Sequence, residues 1–279
     1  MDLSRGTYYY ESKVKKEESL KREADIRDCI ESIACEFPRY GYRRITKQLH
    51  REGFMVNHKK VLRIMRENSL LCSVKRKWIK TTDSRHTFRR YPNLIKNRFP
   101  SRPDQIWVAD ITYIRVLTAF VYLSVILDAF SRKVVGYAIS KSLSNNLTIQ
   151  ALKSAIALRK PERGCIHHSD QGVQYACKEY VDILKDKGFE ISMSAKGNPY
   201  DNAMAESFIK TLKHEEVYLW EYKTFDDVAE RLPYFIDKVY NLKRLHSSLG
   251  YVPPDEFEAS YYINNDFRGT PKLDNYSIV

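Results

Sequence analysis

The chain has 279 residues, 43% of them hydrophobic, which is enough to bury at least one sizeable core and to form one to three units. There is no run of about 18 apolar residues, and the opening MDLSRGTYYYESKVKKEE lacks an apolar leader stretch, so the composition excludes a membrane span and points to the cytoplasm. The net charge of +12 is lopsided: residues 1–100 hold 25 Lys+Arg against 12 Asp+Glu, residues 101–279 hold 22 against 23, and a basic first third seeks a polyanion such as nucleic acid, with a solvated basic face as the alternative.

In chain order, Ile26, Ile30 and Ile33 at helical spacing predict a helix over 19–37, and RYGYRRITKQLHREG predicts a second, closed by Gly53. VNHKKVLRIMREN predicts a third, with Asn57 as N-cap. Its Val61, Ile64, Met65 and Asn68 share one face, and Lys59, Arg63 and Arg66 share the other. Two helices around a short Gly-containing turn, the second basic on its free side, form a helix-turn-helix pattern. Arg43 and Arg44 on the first of the pair, with Lys59, Arg63 and Arg66 on the second, are the candidate DNA contacts.

Basic sequence then leads to FPSRPDQ, whose two prolines mark a boundary. IWVADITYIRV, FVYLSVILDAF and RKVVGYAIS read as three consecutive antiparallel strands. A helix over 145–160, a strand over 165–168, a helix over 175–187, a strand over 190–194 and a helix carrying Glu206 follow, giving the α/β order β-β-β-α-β-α-β-α. A further helical stretch is expected over 225–245, and the tail from Ile263 has no periodicity and reads as mobile. The expected domains are therefore 1–75 (helical, DNA-binding), 76–103 (basic linker), 104–218 (α/β core), 219–262 (helical extension) and 263–279 (tail). The five scattered cysteines form no C-x-x-C pair and read as reduced, mostly buried thiols rather than a disulfide framework or a zinc site.

Three carboxylates stand out against this order. Asp110 lies in mid-strand, where an isolated carboxylate is costly to bury; Asp170 follows the strand CIHHS at a strand end that normally faces a site; Glu206 occupies the first turns of the helix after the last strand. Taken singly they read as an edge gatekeeper, a turn former and the start of an ion-pair ladder with Lys210 and Lys213. Taken together, in this element order, they can converge at one edge of the sheet, where their mutual repulsion calls for a cation. Mg²⁺ suits hard oxygen ligands without Cys or His, and two such ions can support an in-line phosphoryl displacement. Lys210 and Lys213 would then direct positive charge at a DNA backbone.

The intervals, 59 residues between Asp110 and Asp170 and 35 between Asp170 and Glu206, resemble the Asp-Asp-35-Glu signature of retroviral integrases and related transposases. WVADITY, HSDQGVQYACKEY, SMSAKGNPYDNAMAESFIKTLKHE and YNLKRLHSSLGYVPP, with YGYRRITKQLHREGFMVNHKKVLRIMREN before them, are similar to the second reading-frame product of the bacterial insertion-sequence three family, over about residues 6–254. That resemblance implies an RNase H-like integrase core, a mixed five-stranded sheet with helices, preceded by an all-α helix-turn-helix domain. It implies that Asp110, Asp170 and Glu206 bind two Mg²⁺ ions, which Mn²⁺ could replace, and that Lys213 contacts transposon DNA. It further implies cleavage that frees a 3′-hydroxyl, strand transfer by that hydroxyl, terminal inverted repeats and target DNA as partners, an oligomer on DNA in the bacterial nucleoid, and an upstream-frame product acting fused or alongside. The family often has a serine after the equivalent of Gln174-Tyr175, where Ala176-Cys177 stand here, which puts helix capping at that point in doubt. Two alternatives stay open: an RNase H-like nuclease that does not join strands, and an inactive DNA-binding regulator.

Overall fold

The computed structural model describes residues 13–72, 91–195 and 202–269, and the chain divides into two compact units, residues 1–77 and 78–279. In the first unit α1 (Lys13–Glu36), α2 (Tyr42–Arg51) and α3 (His58–Glu67) surround a core of Ile26, Ile30, Ile33, Ile45, Leu49, Val61, Ile64 and Met65. The isoleucine spacing therefore did mark the buried face of α1, although the helix begins six residues before the expected 19. Gly53, at φ +91°, ends α2: the Phe54 N–H reaches the Leu49 carbonyl (2.9 Å) and the Gly53 N–H that of His50 (3.2 Å), the paired bonds of a left-handed C-cap. Asn57 caps α3 by accepting from the Lys59 N–H at 2.8 Å, as the sequence predicts.

The second unit is built on one mixed sheet in the order β3-β2-β1-β4-β5, from β1 (Ile106–Arg115), β2 (Phe120–Asp128), β3 (Val134–Ser140), β4 (Ile166–Ser169) and β5 (Glu190–Met193). The first three strands pair antiparallel, and β1–β4 and β4–β5 pair parallel. Alternation along β1 sends Ile106, Val108 and Ile114 to one core with α7 (Ala203–Leu212) and α8 (Phe225–Tyr234). Trp107 and Ala109 go to the other, with α4 (Asn145–Arg159) and α6 (Lys178–Asp186). Gly136 lets α4 lie directly on β3, since a Cβ there would stand 2.5 Å from Ala155 Cβ and 2.6 Å from the Ala151 carbonyl oxygen.

Several expectations need correction. The helix expected over 175–187 is two, α5 (Val173–Ala176) and α6, separated by Cys177 in extended conformation with no side-chain capping bond. The stretch 225–245 is not one α-helix: Pro233 cannot donate to the ladder, and beyond Tyr234 the chain continues as a π-helical segment, Phe235–Asn241. The basic linker is not all linker. Leu94 and Ile95 pack on the core, the Leu94 N–H donates to Ser192 Oγ (2.8 Å), and the Met193 N–H donates to the Pro92 carbonyl (3.4 Å), covering the β5 edge. Where a tail was expected from Ile263, α9 (Pro254–Gly269) runs on to Gly269, started by Pro254 with Asp255 and Glu256 in its first turn. Only Cys165 and Cys177 of the five free thiols are buried. Among the described residues no helix is long and apolar enough to cross a membrane.

His167, in β4, is buried and hydrogen-bonded to Tyr180 Oη at 2.8 Å; burial and the neighbouring His168 push its imidazole down to about 3. A depressed histidine holds stability above its unfolded value and loses it as pH falls, because below about 6.5 only the unfolded chain takes the proton. His167→Gln should therefore flatten the fall in stability between about pH 6.5 and 3, a slope of up to about 1.4 kcal/mol per unit, in urea titrations at stepped pH. Equal slopes for parent and variant would refute the burial argument. Asp128, pushed up to about 6 by burial, acts oppositely in both chains and cancels in the comparison.

Candidate active site and nucleic-acid interface

The parallel register sets Trp107 against His167 and Val108 against His168, so β1 carries Asp110 past the end of β4 (Ser169), where Asp170 begins the following loop and lies close enough to act on the Asp110 carboxyl. Asp110 has the same parity along β1 as Ile106, Val108 and Ile114, hence the face that packs on α7, the helix of Glu206. Asp110 is partly buried; burial, then Asp170, and more weakly Glu206 push its carboxyl up to about 8, against the Ile111 N–H that donates to its Oδ1 at 2.8 Å. The structure thus brings Asp110 and Asp170 together, with Glu206 exposed and acting at longer range. Among the described residues no group of three or more Cys, His, Asp and Glu is close enough to hold a metal ion by itself, so the three carboxylates do not form a closed cage. The donor set still fits a hard divalent cation: two nearby carboxylates without thiolate or imidazole, one of them held far from its ordinary ionisation by burial and then by the other.

The loop of Asp170 is fixed by features the sequence reading passed over. The Gly172 N–H donates to Asp170 Oδ1 (2.9 Å), and a Cβ on Gly172 would lie 2.9 Å from that oxygen. Gln171 Nε2 donates to the Ser194 carbonyl at 3.0 Å, tying the loop to the end of β5. Beneath the pair lies Tyr175, whose phenol is raised by burial and Tyr180 and further by Asp110 and Asp170. Asn202, also missed, stands at the N-cap of α7, where its Nδ2 donates to the carbonyl of Ala109, the residue before Asp110 (3.3 Å). The signal available was an Asn four residues before Glu206, which its turn-rich surroundings made look like any loop asparagine.

The ion-pair ladder does not form: no ion pair joins Glu206 to Lys210 or Lys213 among the described residues. Lys210 is exposed. Lys213 is half-buried, with Nζ 4.5 Å from the centre of the Tyr113 ring; burial lowers its pKa and Asp110 opposes that. In the first unit Lys59 and Arg66 are exposed on α3, as expected. Arg63 is engaged within the chain, by Glu67 (2.9 Å) and by Glu23 of α1 (2.8 Å), and Glu23 also holds Lys60 at 2.8 Å. Hydrogen bonds from Lys60 and Arg63 bring the Glu23 carboxyl down to about 2. Arg43 is exposed and Arg44 half-buried, each near a tyrosine ring, Tyr42 at 5.7 Å and Tyr40 at 5.4 Å.

Comparison with known proteins identifies both units. Residues 21–78 match the family described as HTH-like domain, and residues 100–199 and 187–254 match two families described as Integrase core domain. The chain is 36% identical to an insertion element IS600 31 kDa protein of Shigella sonnei, over 93% of this chain and 96% of that one. It is 39% identical to the transposase for insertion sequence element IS904 of Lactococcus lactis (79% and 87%), and 35% identical to a transposase, InsK, described for IS150 of Escherichia coli (94% and 92%). The sheet is that of an RNase H-like integrase core, and the chain belongs to the insertion-sequence transposases that join a helix-turn-helix-like domain to such a core.

Proposed function

We propose that this transposase cuts transposon ends and joins them to target DNA with Asp110, Asp170 and Glu206 as its metal-binding carboxylates. The observation that carries the reading is the approach of Asp170, the residue that follows β4, to Asp110 on the neighbouring β1, with the Asp110 carboxyl pushed up to about 8 by burial and then by Asp170. Two Mg²⁺ ions, or Mn²⁺ in their place, would activate the attacking oxygen and stabilise the leaving one. Asp110, Asp170 and Glu206 would hold the ions, the two aspartates from the sheet side and Glu206 from α7. Lys213 and Lys210 take the phosphates of the entering strand. Water frees a 3′-hydroxyl, which then attacks a second phosphodiester, and no side-chain nucleophile is needed.

The same reading gives the first unit the terminal inverted repeat, through Lys59, Arg66, Arg43 and Arg44, with Arg63 contributing once freed from its carboxylates. It makes the chain a second-reading-frame product of the insertion-sequence three family, acting as an oligomer on DNA with an upstream-frame partner that supplies further end recognition. A strand-transfer assay with a labelled transposon end and a supercoiled target tests it. Joined products that need a divalent cation support the reading, whereas nicking without joining would leave a nuclease.

The pairing of Glu23 allows a separate check on the helix-turn-helix. Glu23→Gln should release Lys60 toward phosphate, with Arg63 still held by Glu67, raising affinity for a random duplex several-fold and steepening the salt dependence by about one contact. Fluorescence anisotropy at stepped salt measures both. An unchanged slope would assign this face to solvent.

A further inference from the structure

The structure assigns a role to the YNLKRLHSSLGY segment that neither the carboxylates nor the helix-turn-helix uses: Arg244 and Asn241 form a brace that sets the register of the helix carrying Glu206 and Lys213. Arg244 is 3% exposed, and its guanidinium grips Glu215 side-on, Nε to Oε2 and Nη2 to Oε1, both at 2.7 Å. Glu215 lies two residues beyond Lys213, inside the π-helical turn Lys213–Val217 that extends α7. The next residue, Glu216, is also buried and accepts from Arg231 Nε (2.9 Å) and Tyr222 Oη (2.8 Å). Two neighbouring carboxylates are thus each taken by an arginine from the chain that follows, in a turn type that is rare and concentrated at functional sites.

At its other end the brace is anchored to the sheet. Asn241, 5% exposed, bonds both backbone groups of Val134, accepting from its N–H (2.9 Å) and donating to its carbonyl (3.0 Å). Tyr240 and His246, in edge contact at 4.8 Å, pack beside Arg244. The connection therefore runs from the start of β3 through Asn241 and Arg244 to Glu215, and so to the turn that begins at Lys213. One residue of slip in a helix turns a side chain by about 100°, enough to swing Lys213 away from Tyr113 and Asp110. The side-on grip suits this task because a planar guanidinium fixes direction as well as distance, which a lysine in its place would not.

The inference rests on the proposed roles of Glu206 and Lys213, and its test separates the two. The full chain carries Arg244→Lys or Glu215→Gln, each alone and combined with Lys213→Ala. Two measurements are made: anisotropy with a random-sequence duplex without divalent metal, and calorimetric titration with Mg²⁺ alone. In the parent, Lys213→Ala should weaken duplex binding several-fold and lower the salt slope by about one. In the Arg244→Lys background the same change should cost less than about twofold, because Lys213 is already misplaced, and Mg²⁺ affinity should fall about tenfold through Glu206. Glu215→Gln, which keeps the side chain's shape and breaks the pair more gently, should show the same coupling should Arg244→Lys fail to fold. A lowered Tm with the full Lys213 effect and unchanged Mg²⁺ affinity would make the pair a stabilising contact only and overturn the brace. If Lys213→Ala is silent in the parent, the DNA assignment of Lys213 fails and the Mg²⁺ titration decides the brace; if the parent takes up no Mg²⁺ either, site and brace fall together.

Discussion

Asp170→Asn and Glu206→Gln each abolish metal-dependent cleavage and joining, lowering the rate by about 10³-fold or more, while duplex binding stays within about twofold of the parent. A carboxamide keeps the shape of the side chain and loses the charge that holds a divalent cation, so the loss falls on the chemistry and spares the DNA-contacting surface. Asp110→Asn should remove activity to the same degree and raise the Tm of the metal-free chain, because it deletes a partly buried carboxyl that its surroundings already push up to about 8. Cleavage of an end-labelled duplex in Mg²⁺ and in Mn²⁺, with melting curves alongside, measures both. Retained cleavage in any of the three variants would refute the assignment, and a lowered Tm for Asp110→Asn would refute the account of its burial.

The parts of this architecture that were legible in the sequence are those set by local periodicity. Ile26, Ile30 and Ile33 are 3%, 0% and 4% exposed, because helical spacing alone decides which face of an amphipathic helix is buried. The meeting of Asp110 with Asp170 was legible as well: strand order is constrained, and a carboxylate at mid-strand with another at a following strand's end leaves few arrangements. Pairings across long stretches of chain were not. Glu23, 40 residues before Arg63, claims a guanidinium that the basic stripe presented as free. Asn241 bonds Val134 across 107 residues, and Leu94 bonds Ser192 across 98. Gly172 escaped notice for a different reason: its φ is ordinary, and only the closeness of Asp170 Oδ1 explains why a side chain there is excluded.

A further pairing across long stretches of chain ties the end of α4 to α9. Arg159→Ala is expected to cost about 3–5 kcal/mol, the loss typical of breaking a buried ion pair from one side. Arg159 closes α4 with a side chain 11% exposed. It meets Asp104 (Nε to Oδ1 3.0 Å, Nη2 to Oδ2 2.8 Å) and, 99 residues on, Glu258 of α9 (Nη1 to Oε2 2.8 Å, Nη2 to Oε1 2.6 Å). Asp104 is also held by Trp107 Nε1 at 2.9 Å, and Glu258, 5% exposed at its side chain, retains only Lys133 at 3.5 Å once the guanidinium is gone. Truncation therefore leaves two shielded carboxylates facing a void, which is costlier than the worth of the pair itself. Urea unfolding should show the loss as a fall in midpoint. Adding Glu258→Gln should recover part of it, because the second change removes the charge that the first left uncompensated. A loss under about 1 kcal/mol, the range of solvated surface pairs, would mean that water reaches the cluster, and additive losses would mean that Arg159 acts through packing alone. Partial recovery would identify the charge on Glu258 as the element that makes α9 depend on the end of α4.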